Sequence, residues 1–419
     1  MMTKKLILNI AAIVCFNCVV FGQNNNSPYS IIGIGSIDHS SFDRTSGMGH
    51  AGMALSSNRF LYNANAASLT ALDDKFFNFE MAASAKFINY SGTPIVAGAS
   101  SSSDLQIKKI SVAIKLKPKW GVGFGLMPYS TASYSFYGSK YILGSNITVP
   151  AYYQGSGGIN QIYFSTGYQV SKRLSLGLQA AYLFGQLSQT ENIAGSFGLD
   201  SSLVTTRTIN VGSPYFKPGF QYNTKLNSNW RLFLGGTATL KTSINGVYNL
   251  SVVDGNTTLP SYNSYKGQVI TLPVQYAGSI AARLKDKYTF SVDYSFQNWN
   301  DLNSKGISYR LVNSNFIGAG FELSKKQTFR DFTVEKHFFQ AGLFYSDSYL
   351  QVNGRQISNY GVTFGGGKNL MRSNLGVQLN MELGVHGTTQ ANLIEERYAQ
   401  INLIFSYRDF WFVKVKKFD

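Results

Sequence analysis

The strongest constraint on this chain is an alternation. After residue 74, thirteen to fourteen short segments carry an apolar residue at every second position. Successive side chains of a strand point to opposite faces, so a period of two means sheet with one apolar and one polar face. Phe77, Phe79, Met81, Ala83, Ala85 and Phe87 form one such face, with Asn78, Glu80, Ala82, Ser84 and Lys86 opposite. Tyr288, Phe290, Val292, Tyr294 and Phe296 stand against Thr289, Ser291, Asp293, Ser295 and Gln297. Leu375, Val377, Leu379, Met381, Leu383 and Val385 stand against Gly376, Gln378, Asn380, Glu382 and Gly384. A soluble sandwich and a membrane barrel both produce this pattern. The chain ends and the composition separate them.

Lys4 and Lys5 precede an apolar stretch from Leu6 to Phe21, which reads as a secretory signal over residues 1–22. Asn9 and Asn17 interrupt it, and its length falls short of a membrane anchor. The only two cysteines, Cys15 and Cys18, lie inside it, so the mature chain is expected to have no disulfide, thiolate metal site or catalytic thiol. No later run of about 18 apolar residues exists, so a crossing must be made by a closed barrel, the one sheet that satisfies every backbone amide in lipid. Trp411, Phe412 and Phe418 give the aromatic C-terminus typical of outer-membrane barrels.

Charged residues are 14% of the chain, against about a quarter in a soluble protein. With 26 Tyr, 30 Phe and 41 Gly, that balance fits aromatic girdles around a packed lumen. The net charge is +16, or +14 without Lys4 and Lys5. Its carriers, Lys117 and Lys119, Lys172 and Arg173, Lys285 and Lys287, Lys325 and Lys326, and Arg372, fall in short connections. They read as one solvated rim facing one compartment. With no basic helix and no RNA-binding aromatic motif, no nucleic-acid partner is expected.

Three parts follow: a signal at 1–22, a Gly/Ser/Asn-rich segment at 23–73 and a barrel at 74–419. The expected fold is all-β, a transmembrane antiparallel barrel of about 14 strands starting near residues 75, 103, 119, 158, 173, 208, 229, 266, 287, 313, 336, 358, 373 and 395. Short connections alternate with long ones near 91–102, 137–157, 190–207, 247–265, 300–312, 349–357 and 387–394, as outer-membrane barrels require. One connection, 324–335, is long on the short side. A barrel this wide leaves a lumen to be filled or left open. The N-terminal segment is the expected hatch, because Ile31, Ile32, Ile34, Met48, Met53, Leu55, Phe60, Leu61 and Leu69 are too apolar for a solvated tail.

The run from Met48 through Gly49, Gly52 and Leu55, followed by Leu61 to Leu69 with Asn65, Ala66 and Ala67, resembles the hatch signature of the FadL family of outer-membrane transporters. The family's "NPA" appears here with Ala66 in place of Pro. Trp120–Ser130, Asp293–Trp299 and Asp409–Lys414 resemble further family segments. The resemblance covers the mature chain and implies a plugged fourteen-strand barrel in the outer membrane of a Gram-negative bacterium. It also implies passive import of small hydrophobic molecules such as long-chain fatty acids or aromatic hydrocarbons. Other barrels of this broad family serve protein secretion as accessories, so a secretion partner or a surface-binding scaffold is the second expectation.

No catalytic, metal or cofactor site is expected. His39, His50, His337 and His386 lack metal-ligand spacing, GxSxG is absent, and Phe364–Lys368 lacks the spacing of a phosphate loop and reads as a strand end. Apolar residues on the inward parity are the candidate cargo surface: Leu183, Phe316, Phe338 and Phe344 on the wall, with Met48, Met53, Phe60 and Leu61 on the hatch. The same residues serve equally to pack the hatch. Pro128 interrupts the alternation of Trp120, Val122, Phe124 and Leu126, so it marks a break in the wall or a position beyond the membrane.

Overall fold

The computed structural model describes residues 27–92, 100–141, 148–193, 202–259, 264–306, 308–329, 332–370 and 374–411. The expected signal, Arg372 and the terminal aromatics Phe412 and Phe418 lie outside these residues.

Fourteen antiparallel strands form the wall. They are β1 (Phe76–Gly92), β2 (Ser101–Lys117), β3 (Trp120–Thr131, continued by Tyr134–Tyr141), β4 (Thr148–Gln169), β5 (Leu174–Ile193), β6 (Leu203–Lys225) and β7 (Trp230–Thr239, continued by Thr242–Asp254). The ring goes on with β8 (Ser264–Leu272, continued by Gln275–Leu284), β9 (Tyr288–Gln297), β10 (Ser314–Phe329), β11 (Phe332–Val352), β12 (Arg355–Leu370), β13 (Leu375–Gly387) and β14 (Ile394–Phe410). Pairing of β1 with β14, from Phe76 opposite Phe410 to Gly92 opposite Ile394, closes the ring. Among the described residues no helix is long and apolar enough to cross a membrane.

The alternation read from the sequence sets the two faces of this wall. On β11, Phe339 and Leu343 are 58% and 61% exposed, while Phe338 and Phe344 on the opposite parity are 1% and 4% exposed. Trp120, Tyr168, Tyr182, Tyr276 and Tyr294 are among the exposed aromatics on the outer face, as expected of interfacial girdles.

The strands run farther than the apolar pattern reaches. Much of 137–157, 190–207, 247–265 and 349–357, expected as long connections, is strand. Thr190, Glu191 and Asn192 of β5 pair with Gln154, Tyr153 and Tyr152 of β4. Outside the hydrocarbon both faces meet water, so the hydropathy alternation fades while the backbone ladder continues. Asn353 and Gly354, both at positive φ, close a tight hairpin where a long loop was expected. The long connection at 324–335 is likewise mostly β10 and β11, with a register shift between Lys325 and Lys326. Phe364–Lys368 lies within β12 rather than at a strand end.

The rim is uneven. β4 and β6 have 22 and 23 residues, while β9 has 10. The difference is about 40 Å of extra strand at the usual rise.

Candidate functional site: the filled lumen and the break in the wall

Residues 27–73 lie against inward side chains all round the ring. Asp43 begins the anchoring: its carboxylate accepts the Thr45 N–H at 2.9 Å and caps a 3-10 turn, Arg44–Gly47. That turn aims Arg44 at two acids of the wall. Arg44 Nε and Nη2 donate to Glu322 of β10 at 2.8 Å, and Nη1 and Nη2 donate to Glu335 of β11 at 2.8 Å. The guanidinium lies 3.9 Å from the Phe338 ring centroid and 4.7 Å from that of Phe60. A buried guanidinium is tolerable only when paired this fully.

Next, Met48 and Gly49 pass over Gly320 and Gly342, where a Cβ on either wall glycine would overlap the segment's backbone. The Gly49 N–H donates to Thr363 Oγ1 at 2.7 Å. The Gly52 and Met53 N–H groups donate to one oxygen of Asp293 at 3.0 and 2.8 Å. The Leu61 N–H donates to Glu80, which Lys109 also meets at 2.8 Å in a fully buried pair. Asn65 caps a second 3-10 turn, Ala66–Ala71, by accepting the Ala67 N–H, and its amide donates to the Phe220 carbonyl at 2.8 Å. Ala66 and Ala67 pass so close to Gly177 that a side chain there would collide.

A cavity of about 160 Å³ remains beside this segment. Met53, Met127, Tyr129, Tyr215 and Phe316 line it together with Asp38, His39, His50, Lys217 and Asp293. Burial, and then the nearby His50, push the His39 imidazole down to about 4. Burial opposes charge on His50 too, but Glu382 at 2.9 Å outweighs it and holds that imidazole above its ordinary value. Of the expected cargo residues, Met53 and Phe316 meet here, and Pro128 joins them. Met48, Phe60, Leu61, Leu183, Phe338 and Phe344 do not line this cavity. Phe60 packs edge-on against Phe338, Phe344 edge-on against His50, and Leu183 is fully buried in the main core with Ile34 and Phe42.

Pro128 also marks the break. β2 and β3 pair only as far as Ile110 opposite Leu126, and the β3–β4 register shifts between Pro128 and Ser130. Beyond that point the N-terminal segment takes the place of β2. Ser36 and Ile37 pair with Thr131 and Ser130, the Asp38 N–H donates to the Tyr129 carbonyl at 3.2 Å, and Ser130 Oγ donates to the Ile34 carbonyl at 2.7 Å. Gly35, at φ +88°, lies too close to the Thr131 carbonyl for any side chain. A second cavity, of about 370 Å³, lies at this break, bounded by Gln106, Pro128, Asn160 and Gln186 among others.

The barrel is similar in fold to solved outer-membrane channels. It shares 17% identity and a TM-score of 0.58 with the Pseudomonas putida toluene transporter TodX, covering 90% of this chain and 98% of that one. The Ralstonia pickettii toluene transporter TbuX gives 14% and 0.57, over 87% and 97% of the two chains. A Pseudomonas aeruginosa FadL homologue gives 12% and 0.59, over 88% and 98%. No curated protein sequence matches. The sequence profile of BamG, by contrast, matches residues 2–419. This chain belongs to the BamG family. The resemblance to the FadL family is supported by the structure alone, as a likeness of fold to these channels.

In this BamG-family barrel, several lumenal residues gave little notice in the sequence. Arg44 lies 278 and 291 residues from Glu322 and Glu335 in the chain, and only inward parity marked Glu322. Tyr129, Tyr215 and Lys217 also sit on inward positions, but nothing local distinguishes them from packing residues.

Proposed function

We propose that this barrel acts as a structural subunit or docking scaffold of an outer-membrane protein assembly, with its lumen kept closed by its own N-terminal segment. The observation that carries this reading is the seal: Ser36 and Ile37 continue the sheet along the part of β3 that β2 leaves unpaired. The buried pairing of Arg44 with Glu322 and Glu335 supports it by tying the segment to the wall. So does the use of Phe338 and Phe344, the inward aromatics best suited to apolar cargo, in contacts with Arg44, Phe60 and His50. The remaining working surface is the exterior. There the tall side of the rim carries Tyr137, Tyr141 and Tyr265, each more than half exposed.

A second reading is passive uptake of small hydrophobic molecules, such as long-chain fatty acids, aromatic hydrocarbons or similar compounds. It is favoured by the cavity of about 160 Å³ beside Pro128, close to the size that holds a single benzene ring in an apolar core. Toluene transporters share the fold. Asp38, Lys217 and Asp293 on the cavity wall weigh against a purely apolar occupant.

One experiment separates the two. Ile37 and Ser130 are directly paired, and outside the signal segment the chain has no cysteine, so Ile37→Cys with Ser130→Cys should form a disulfide that pins the seal. Pinned and wild-type proteins are compared for membrane proteins recovered with them after cross-linking, and for uptake of labelled toluene or oleate by cells. The scaffold reading expects the same recovered partners and no uptake that depends on the protein. Uptake that depends on the wild-type protein and stops on pinning would replace it with the channel reading.

A further inference from the structure

We propose that the short-turn rim of the barrel binds the headgroups of anionic phospholipids in the leaflet it faces. Three tight turns along the arc from β2 to β9 carry two cations each. Lys117 and Lys119 flank the turn from β2 to β3, Lys172 and Arg173 the turn from β4 to β5, and Lys285 and Lys287 the turn from β8 to β9. All six are exposed, and among the described residues none makes an ion pair; Asp286 is the single acid in these three turns.

Their height is that of the lipid boundary. Trp120 follows Lys119 directly and Tyr168 lies just before the second turn; both face outward, 38% and 54% exposed. The Lys287 ammonium lies 4.9 Å from the centroid of the Tyr288 ring. Girdle aromatics sit at headgroup level, so these cations reach the phosphates rather than the hydrocarbon. Basic side chains held near an anionic surface are attracted additively, and the attraction fades within a Debye length. On the opposite rim Lys140 is paired with Glu191 at 2.6 Å and Arg397 with Glu395 at 2.8 Å, while Lys266 and Arg355 stand there singly, one cation to a turn.

The height of these cations chooses lipid over protein. Each pair stands beside an outward aromatic of the wall, Trp120, Tyr168 or Tyr288, so a ligand that reaches the barrel from the lipid side meets the ring and the charge together.

The test uses the full-length mature protein in detergent, equilibrated with equimolar phosphatidylglycerol and phosphatidylcholine. Retained lipid is read by native mass spectrometry. The wild type should retain phosphatidylglycerol over phosphatidylcholine by ~threefold or more, with the preference falling as sodium chloride is raised. Replacing all six cations with Gln should abolish the preference, while Lys266→Gln with Arg355→Gln, exposed cations away from these turns, should leave it intact. Should the sixfold variant not fold, as judged by heat-modifiable gel mobility, Lys172→Gln with Arg173→Gln alone should give a partial loss. Equal retention of both lipids by the wild type overturns the proposal, as does an unchanged preference in the folded variants. Absence of lipid preference together with cross-linking of these lysines to an acidic periplasmic protein would assign the rim to protein docking instead.

Discussion

Arg44 of the N-terminal segment and Glu322 of β10 form a two-pronged pair, both contacts at 2.8 Å, with the side chains only 4% and 5% exposed. Neither charge is tolerable there without the other, so this contact fixes where the segment enters the lumen.

Arg44→Ala should therefore cost about 3–5 kcal/mol, the usual penalty for leaving a buried carboxylate without its partner. Heat-modifiable gel mobility or denaturant unfolding of the detergent-solubilised protein would measure it. Replacing Arg44 with Met and both Glu322 and Glu335 with Gln should recover part of the loss, because no charge is then left unpaired. A single Arg44→Ala variant as stable as the wild type would show that the segment is held by other contacts.

Gly320 and Gly342 are the floor on which Met48 and Gly49 rest. Gly320→Val would leave the outward face of β10 unchanged and push the segment off the wall. We expect a folded barrel with raised ion conductance in planar bilayers and faster proteolysis near residue 48. Conductance equal to the wild type would mean that the segment does not limit the lumen.

His50 supplies a pH dependence. Its folded pKa is raised by Glu382 against the opposing effect of burial. The stabilisation is therefore complete below the unfolded value near 6.5 and is lost as pH rises through the higher folded value. His39, held down at about 4, pulls the other way: it stays neutral in the fold while its unfolded form gains a proton below about 6.5, so its part of the stability falls as the pH drops below that value. Above about pH 6.5, where His39 is mostly neutral folded and unfolded alike, thermal unfolding should accordingly come at a higher temperature near neutral than at alkaline pH. In His50→Gln that part of the difference should vanish. A His50→Gln profile superimposable on the wild type would remove His50 from the account.

Phe338 and Phe316 should differ in what their loss does. Phe338 is 1% exposed between Arg44 and Phe60, so Phe338→Ala should cost roughly 3–5 kcal/mol of stability. It should leave binding of a hydrophobic dye unchanged. Phe316 lines the cavity beside Pro128, so Phe316→Ala should weaken any dye bound there. Equilibrium dye binding to solubilised variants tests the pair, and the reverse order would place the ligand surface at Phe338.

The strands were legible because lipid imposes one simple rule on a wall. Every second residue must be apolar, and Phe339 with Leu343 against Phe338 with Phe344 shows how strictly β11 obeys it. The rule ends where the lipid ends, so the outer half of β4 and the outer ends of β5 and β6 read as loops although their backbone ladders continue. Asn65, Gly49 and Gly52 could be singled out through the resemblance to the FadL hatch signature, and in the structure they sit where a turn cap or a close approach demands those residue types. The cavity could not, because Lys217 and Tyr215 look the same in sequence whether they meet water, a ligand or the segment.

The sequence by itself determined that this chain alternates, spans with strands rather than helices, closes into a barrel of about fourteen strands and carries a basic rim. Each of these follows from local periodicity and from the cost of leaving backbone amides unpaired in lipid. Only the tertiary structure decided that Arg44 meets Glu322, and that Ser36 and Ile37 fill the place β2 leaves beside β3. The physical reason is distance along the chain: these partners lie between 93 and 278 residues apart, and nothing in either local sequence encodes the other.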